Sequence, residues 1–541
     1  MDYYSIMIRP EPLTRTSGLH DRGSAAGLQI GRWALLLLLL VAIFHGAQYA
    51  ALMPPWGLID EAQHVDYIWH IAERGEFPVA GKTSLAPPVV DSLFATRHWF
   101  VFHWSTPVST ALADLGAGGY SYEAYHPPLY YLLMAPIYLG SPGSILDRLF
   151  VLRAVALALS LVTVWLFFRL SALVSGSVLF ALLAGLIFIM LPERTAYVSR
   201  VNNDVLAELL GTAICLVAAQ GVLLSLSRGR AVGMGLLLAL GVWTKLSVSF
   251  WLGPLALLAL WLYPRADGRR WLVPLLLGGT ALGAILARNW FTYHDLTGFS
   301  AFHQLYPIAA PPLGPSTLIS GLQDLFNHFW LIWWKGSEAG RTPVTQAIYL
   351  ALAILTLASA ALLARAFWDR RGELRTTWRS HPRLALFAFL AVAACVFAVM
   401  MLYSYFQGIV PVLQGRFLAP ATAAYVLLFT YGWWQHRLGA KVLWGIAIGL
   451  FAVSVLALWG NLLPYHYYWS SVNAAPGVMP GAGLDVLRLF WSNLGADKPP
   501  AIVPLLPILI ILYWLAAAAT FYLSWRWTAI ERSAANPSPG V

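Results

Sequence analysis

Residues 31–64 read GRWALLLLLLVAIFHGAQYAALMPPWGLIDEAQH. The predominantly apolar run from Trp33 to Met53 has the length at which an α-helix, rising about 1.5 Å per residue, crosses the hydrocarbon core of a bilayer. Basic residues precede it, and it closes on Met53-Pro54-Pro55-Trp56 without a small-x-small cleavage pattern. A retained anchor is therefore expected, not a cleaved signal peptide. Similar runs recur along most of the chain. With 59% hydrophobic and 11% charged residues, 541 residues cannot form a water-soluble globule with a polar skin. The +10 formal charge is dispersed between apolar runs, which fits membrane orientation and gives no sign of a nucleic-acid partner. Cys215 and Cys395 both fall inside such runs and read as small core residues, without a disulfide framework or cysteine metal site.

The pattern predicts an all-α polytopic membrane protein with about 12 transmembrane helices. They are placed at 31–53, 147–170, 177–192, 205–226, 231–247, 249–263, 271–288, 346–367, 384–404, 417–434, 442–463 and 503–524. The apolar stretch Pro127 to Leu139 is too short to cross and fits a re-entrant or surface helix. Basic clusters flank 231–263 on both sides, so two short spans are expected to return the chain to one face, with Lys245 near their turn. With the N-terminus inside, most of the 34 Lys and Arg fall on cytoplasmic segments, as the positive-inside rule asks. The expected location is the cytoplasmic (inner or plasma) membrane, with the active site facing the extracytoplasmic side.

Five regions follow: a cytoplasmic tail at 1–30; a catalytic transmembrane module at 31–292 that includes a first outer loop at 54–146; an outer loop with an amphipathic helix at 293–345; a C-terminal transmembrane module at 346–524; and a cytoplasmic tail at 525–541. Short outer loops are placed at 193–204 and 405–416, and a third long outer segment at 464–502. Long loops without strand patterns usually carry function, and these hold most of the acids. No internal repeat is visible, which counts mildly against a transporter.

Directly after the first span stand Asp60 and Glu61, followed by His64. A helix starting near Asp60 would be capped by it, place Asp60 and His64 on one face, and lay Val65, Ile68 and Trp69 on lipid. An ordinary cap in a solvated loop accounts for Asp60 equally well at this level. Other motifs are His126-Pro127-Pro128-Leu129-Tyr130-Tyr131, Asn202-Asn203-Asp204, Lys245 between Thr244 and Leu246, Arg288-Asn289, and Gln414-Gly415-Arg416-Phe417.

In order and spacing these pieces resemble the membrane glycosyltransferases of the GT-C fold, a group that includes protein mannosyltransferases and lipid A aminoarabinose transferases. The likeness covers most of residues 30–430. It implies sugar transfer from a polyprenyl-phosphate donor to an extracytoplasmic glycan, lipid or protein. A sugar phosphate already carries a good leaving group, so the needs are a base for the acceptor hydroxyl and cations for the phosphate. By resemblance Asp60 is the base in an inverting displacement, supported by Glu61, with His64 beside them.

Candidate substrate-binding cations are Lys82, Arg97, Arg200, Lys245, Arg288 and Arg416, with Arg288 and Arg416 favoured because a guanidinium grips phosphate with two hydrogen bonds. Interfacial snorkelling explains any one of them equally well. His126, Asp204 and Asn289 complete the candidate binding set, although Asp204 also reads as a helix cap. Asp60, Glu61, His64 and Asp204 are hard ligands that could gather around a divalent metal, but the spaced Asp-x-Asp pattern of related oligosaccharyltransferases is missing. Trp99, Trp104, Trp330, Trp333, Trp334 and the run Tyr465 to Trp469 fit an interfacial belt with a minority stacking on sugar. Leu325 to Lys335 looks like an amphipathic helix able to cover the cleft. The alternative function is a transporter or flippase of lipid-linked sugar, which would want polar residues through the midplane; apart from Lys245 the runs offer few.

Overall fold

A computed structural model describes residues 25–56, 60–96, 119–262, 268–305, 307, 309–331, 343–369, 382–409, 413–463, 494–495 and 497–535. Arg97, Trp99, Trp104, Trp333, Trp334, Tyr465 to Trp469 and the side chain of Trp330 lie outside the described residues. The chain is all-α. Helix α1 (Ala25–Leu52) leads through a short turn to α2 (Glu61–Trp69), then α3 (Pro87–Thr96) and α4 (Leu129–Gly140). Next come α5 (Ile145–Ser175), α6 (Val178–Met190), α7 (Pro192–Val198), α8 (Asp204–Leu223) and α9 (Arg228–Thr244). There follow α10 (Leu252–Leu262), α11 (Leu272–Tyr293), α12 (Phe299–Leu305) and α13 (Pro315–Leu331). The last are α14 (Pro343–Asp369), α15 (Pro382–Phe406), α16 (Thr422–Trp434), α17 (Gly439–Val455) and α18 (Leu506–Ala535).

Helix ends follow local chemistry. Ser144 and Asp147 form a reciprocal capping box at the start of α5, and Gly176, at φ 72°, ends it in the left-handed conformation that glycine adopts without steric cost. Ser177 then caps α6 by accepting from the Phe180 N–H. Pro192 has no N–H to continue the ladder, so α6 stops there and α7 leaves at 69°.

The chain is a multi-pass membrane protein. Among the described residues eight helices are long and apolar enough to cross a bilayer, or nine if α6 and α7 make one bent span. This matches eight of the twelve expected spans, and the other four are short or broken. At 249–263 the cause is a six-residue 3₁₀ turn, Leu246–Trp251, ahead of the eleven-residue α10. At about 2.0 and 1.5 Å rise per residue these two pieces still reach about 28 Å, close to the ~30 Å hydrocarbon core. At 417–434 the cause is another 3₁₀ segment, Gly415–Ala421, ahead of α16. The stretch 231–247 forms α9, of only seventeen residues.

Further expectations change. Residues 193–204, expected as a short outer loop, form α7 and a buried turn. Val65 and Ile68 are fully buried and do not face lipid, because α4 and the start of α5 cover them with Tyr130, Tyr131, Leu149 and Leu152. Cys395 is exposed on α15, while Cys215 is buried. The spans also hold more charge than expected. Arg194 bonds Glu208 at 2.9 Å and Ser160 at 2.8 Å, and Tyr197 donates to the same Glu208 carboxylate at 2.8 Å. The break between α6 and α7 is what brings Arg194 and Tyr197 inward to meet α8.

The C-terminal third props the site. Leu458, Leu463, Leu494 and Leu506 pack on Tyr49, Leu52 and Met53 at the end of α1. The amphipathic helix α13 starts at Pro315, earlier than expected, and packs against the 415–421 segment with Leu325 buried.

Candidate active site

The site grows from the end of α1. Arg153 on α5 is fully buried and spends its five N–H groups on five acceptors. Nε and Nη2 grip the Glu61 carboxylate at 2.8 and 2.6 Å, while Nη1 and Nη2 bond the carbonyls of Ala50, Met53 and Pro54 at 2.9, 2.9 and 2.8 Å. Glu61 also accepts from the Val201 N–H at 3.1 Å. Its carboxylate is thus spent on fixing the chain between α1 and α2. None of these bonds goes to the Asp60 side chain; the two residues are joined through the backbone.

Asp60 occupies the cap position of α2 at φ 54° and makes no side-chain cap bond. The left-handed backbone, which Asp tolerates better than most residues, turns the side chain away from the helix it precedes. Its carboxylate accepts from the Tyr122 hydroxyl and from Arg416 Nη2, the latter at 2.6 Å. The Asp60 side chain remains 28% exposed, against 9% for Arg416. Burial pushes the Asp60 carboxyl up, but Arg416 and the Tyr122 hydroxyl outweigh it and hold the group below its ordinary value.

Tyr122 is delivered by a strap. The Ser121 N–H bonds the Thr83 carbonyl at 2.9 Å, the Tyr122 N–H bonds Gln63 Oε1 at 3.1 Å, and Arg288 reaches the carbonyls of Tyr125 and Ala124 at 3.2 and 3.4 Å. Arg288, expected to face phosphate, therefore holds the strap. Asn289 beside it accepts from Arg288 at 3.1 Å and donates to the Leu296 carbonyl at 3.2 Å.

On the strap His126 Nε2 stands 2.7 Å from Glu123 Oε2. The His64 ring stacks on His126 with centroids 6.4 Å apart, and His64 Nδ1 lies 2.9 Å from the Tyr131 hydroxyl. Burial pushes Glu123 up to about 7, with His64 opposing, and pushes His64 down to about 4.

Behind this layer Lys245 bonds Asp204, and its ammonium lies over the Phe417 ring at 5.4 Å. Lys245 is thereby paired, as an intramembrane lysine must be. Asp204 does not cap α8; the Asn202 side chain accepts the Asp204 N–H at 2.9 Å instead. Arg200 is fully buried in the turn before α8, and Lys82 is exposed on the turn that pairs with the strap.

The structure thus brings Asp60, His64, His126, Asp204, Lys245 and Arg416 within electrostatic reach of one another. The suggested metal set does not form. Asp60, Glu61, His64 and Asp204 each turn to a different partner, and among the described residues no group of three or more His, Cys, Asp or Glu could hold an ion. Glu123, Tyr122 and Arg153 line the candidate site and were not singled out from the sequence, while Tyr131, which stands in the His126–Tyr131 motif, contributes the hydroxyl beside His64.

This chain is similar to ArnT from Cupriavidus metallidurans bound to undecaprenyl phosphate, with 13% identity and a TM-score of 0.47 over 95% of this chain and 78% of that one. It is similar to the apo oligosaccharyltransferase of Archaeoglobus fulgidus at 12% identity and 0.39, over 82% and 57%. The same organism's AglB, in complex with an inhibitory peptide and a dolichol-phosphate, gives 13% and 0.36 over 84% and 57%. These are GT-C membrane glycosyltransferases, the group that the motifs resemble. The chain spans less than two thirds of the length of the oligosaccharyltransferases it matches. No family model matches it, and no curated protein does.

Proposed function

We propose that this chain is an integral-membrane glycosyltransferase that moves a sugar from a polyprenyl-phosphate carrier to an extracytoplasmic glycan, lipid or protein, with Asp60 as the base. One observation carries the reading: the Asp60 carboxylate stands at the end of a membrane span, partly open on one side and gripped by Arg416 on the other. A carboxylate held by arginine is a weak base. A phosphate entering beside Arg416 competes for its guanidinium fork, so donor arrival loosens the grip on Asp60 and raises its basicity.

The acceptor oxygen then attacks the anomeric carbon opposite the phosphate. Its bond to carbon forms as the bond from carbon to the phosphate oxygen breaks, the electron pair stays on phosphate, and the acceptor proton goes to Asp60. The outcome is inversion. The charge asymmetry of the loops supports an outward-facing site.

The buried pairs Arg194–Glu208 and Asp204–Lys245 favour a second reading, a transporter or flippase, because intramembrane charge often marks a transport path. Reconstituted protein given polyprenyl-phosphate hexoses and a panel of hydroxyl acceptors separates the two. Glycosylated acceptor of inverted anomeric configuration supports the transferase. Movement of the lipid-linked sugar between leaflets without transfer supports the second reading and removes the first.

A further inference from the structure

Glu123 is 5% exposed and is used by none of the steps above. It faces Asp60 and His64 from α2 and its preceding turn, Arg416 from the 415–421 segment and Lys245 from the end of α9; His126 and Tyr125 flank it on the strap. Asp204 lies behind, bonded to Lys245. Asp60 is matched by Arg416 and Asp204 by Lys245, so these four charges cancel before any ligand enters. A phosphate monoester adds negative charge to that balance. Arg416 can turn from Asp60 to the phosphate, but the added negative charge then stays in the pocket unless it gains a proton.

We propose that Glu123, paired with His126, is the proton-loading site of this pocket, taking up a proton when a lipid phosphate monoester forms or binds beside Arg416. The inference rests on the lipid-phosphate reading above. The balance closes: the acceptor hydroxyl loses a proton to Asp60, the donor diester becomes a monoester with one more negative charge, and the proton passes from Asp60 to the Glu123–His126 pair. Asp60 returns to its ionised form, and the proton leaves to solvent when the lipid phosphate departs. Burial supports this order. It pushes Glu123 up to about 7 and His126 down to about 3, so near neutral pH Glu123 fills first.

The test uses the full chain in nanodiscs with undecaprenyl phosphate as the probe, titrated calorimetrically at pH 8 in two buffers of different ionisation heat. We expect uptake of up to about one proton and an affinity that falls about tenfold per pH unit above pH 7. Glu123→Gln should abolish that uptake and flatten the dependence, and Glu123→Asp should restore it, with the melting temperature of each variant as the folding control. Wild-type binding without proton uptake overturns the proposal, even if the variants fail to fold. So does uptake that persists in Glu123→Gln, which would place the proton on Asp60 released from Arg416 or on the phosphate, whose own second ionisation lies near pH 6. Absence of binding at every pH overturns the lipid-phosphate reading itself, a distinct result.

Discussion

Arg416 and Asp60 stand 356 positions apart in the chain, yet Nη2 lies 2.6 Å from Oδ2. The contact joins the two ends of the expected motif series, and a close approach allows it. A Cβ at Gly211 on α8 would run into the Pro420 carbonyl, so only glycine lets the 415–421 segment sit this deep.

If Arg416 exchanges Asp60 for phosphate, Arg416→Ala should keep the fold and weaken undecaprenyl phosphate binding about 10- to 100-fold, the size of a lost charge-assisted hydrogen bond. Arg416→Lys should recover part of this, since an ammonium supplies charge without the planar fork. Equilibrium binding in detergent checks both. Unchanged affinity in the Ala variant rejects the phosphate assignment.

Arg153→Met should leave the Glu61 carboxylate buried and unpaired, at a cost of about 3–5 kcal/mol. Thermal unfolding should show a large loss of stability. The double variant Arg153→Met with Glu61→Met should regain much of it, because an apolar pair of similar volume replaces an ion pair. Equal melting of single and double variants would mean that the pair does not hold the end of α1.

Glu123 gives stability a definite pH dependence. Its folded carboxyl titrates at about 7 against an ordinary 4.5, so between these values the folded chain keeps a proton that the unfolded chain has lost. Stability should therefore fall as pH rises through that window, by up to about 3 kcal/mol at about 1.4 kcal/mol per pH unit, and level off above it. Asp60 works in the opposite sense: its depressed carboxyl stabilises above the ordinary carboxylate range, and this is lost on acidification. Melting temperature against pH should flatten between pH 5 and 8 in Glu123→Gln. A profile parallel to wild type would show that Glu123 ionises normally.

Much of the site was legible in the sequence. Asp60 follows a span, Arg416 stands in a family-like motif, and a lysine within an apolar hairpin had to find a partner, which proved to be Asp204. Arg153 carried a similar signal, an arginine well inside the expected span 147–170 and away from its ends, and the rule applied to Lys245 would have flagged it too. Glu123 and Tyr122 had no comparable mark, because their importance comes from a strap held by Gln63, Thr83 and Arg288, contacts distant in sequence. Four of the twelve expected spans came out short or broken for a related reason. Hydropathy does not register where a helix tightens to 3₁₀ or breaks at Pro192, and those breaks are what carry Lys245, Arg416 and Arg194 to their partners.

Orientation can be tested at Lys82, exposed on the turn beside the strap. Lys82→Cys in intact cells should react with a membrane-impermeant maleimide added outside. Labelling only after the membrane is opened would put the site on the cytoplasmic face and remove a periplasmic or extracellular acceptor.

The most direct measurement is the turnover of Asp60→Asn with a polyprenyl-phosphate sugar, compared with wild type at equal donor occupancy. Asparagine keeps the shape and removes the base, so transfer should fall at least about 100-fold while the protein still binds donor. Transfer at the wild-type rate would contradict the account and remove Asp60 from the chemistry.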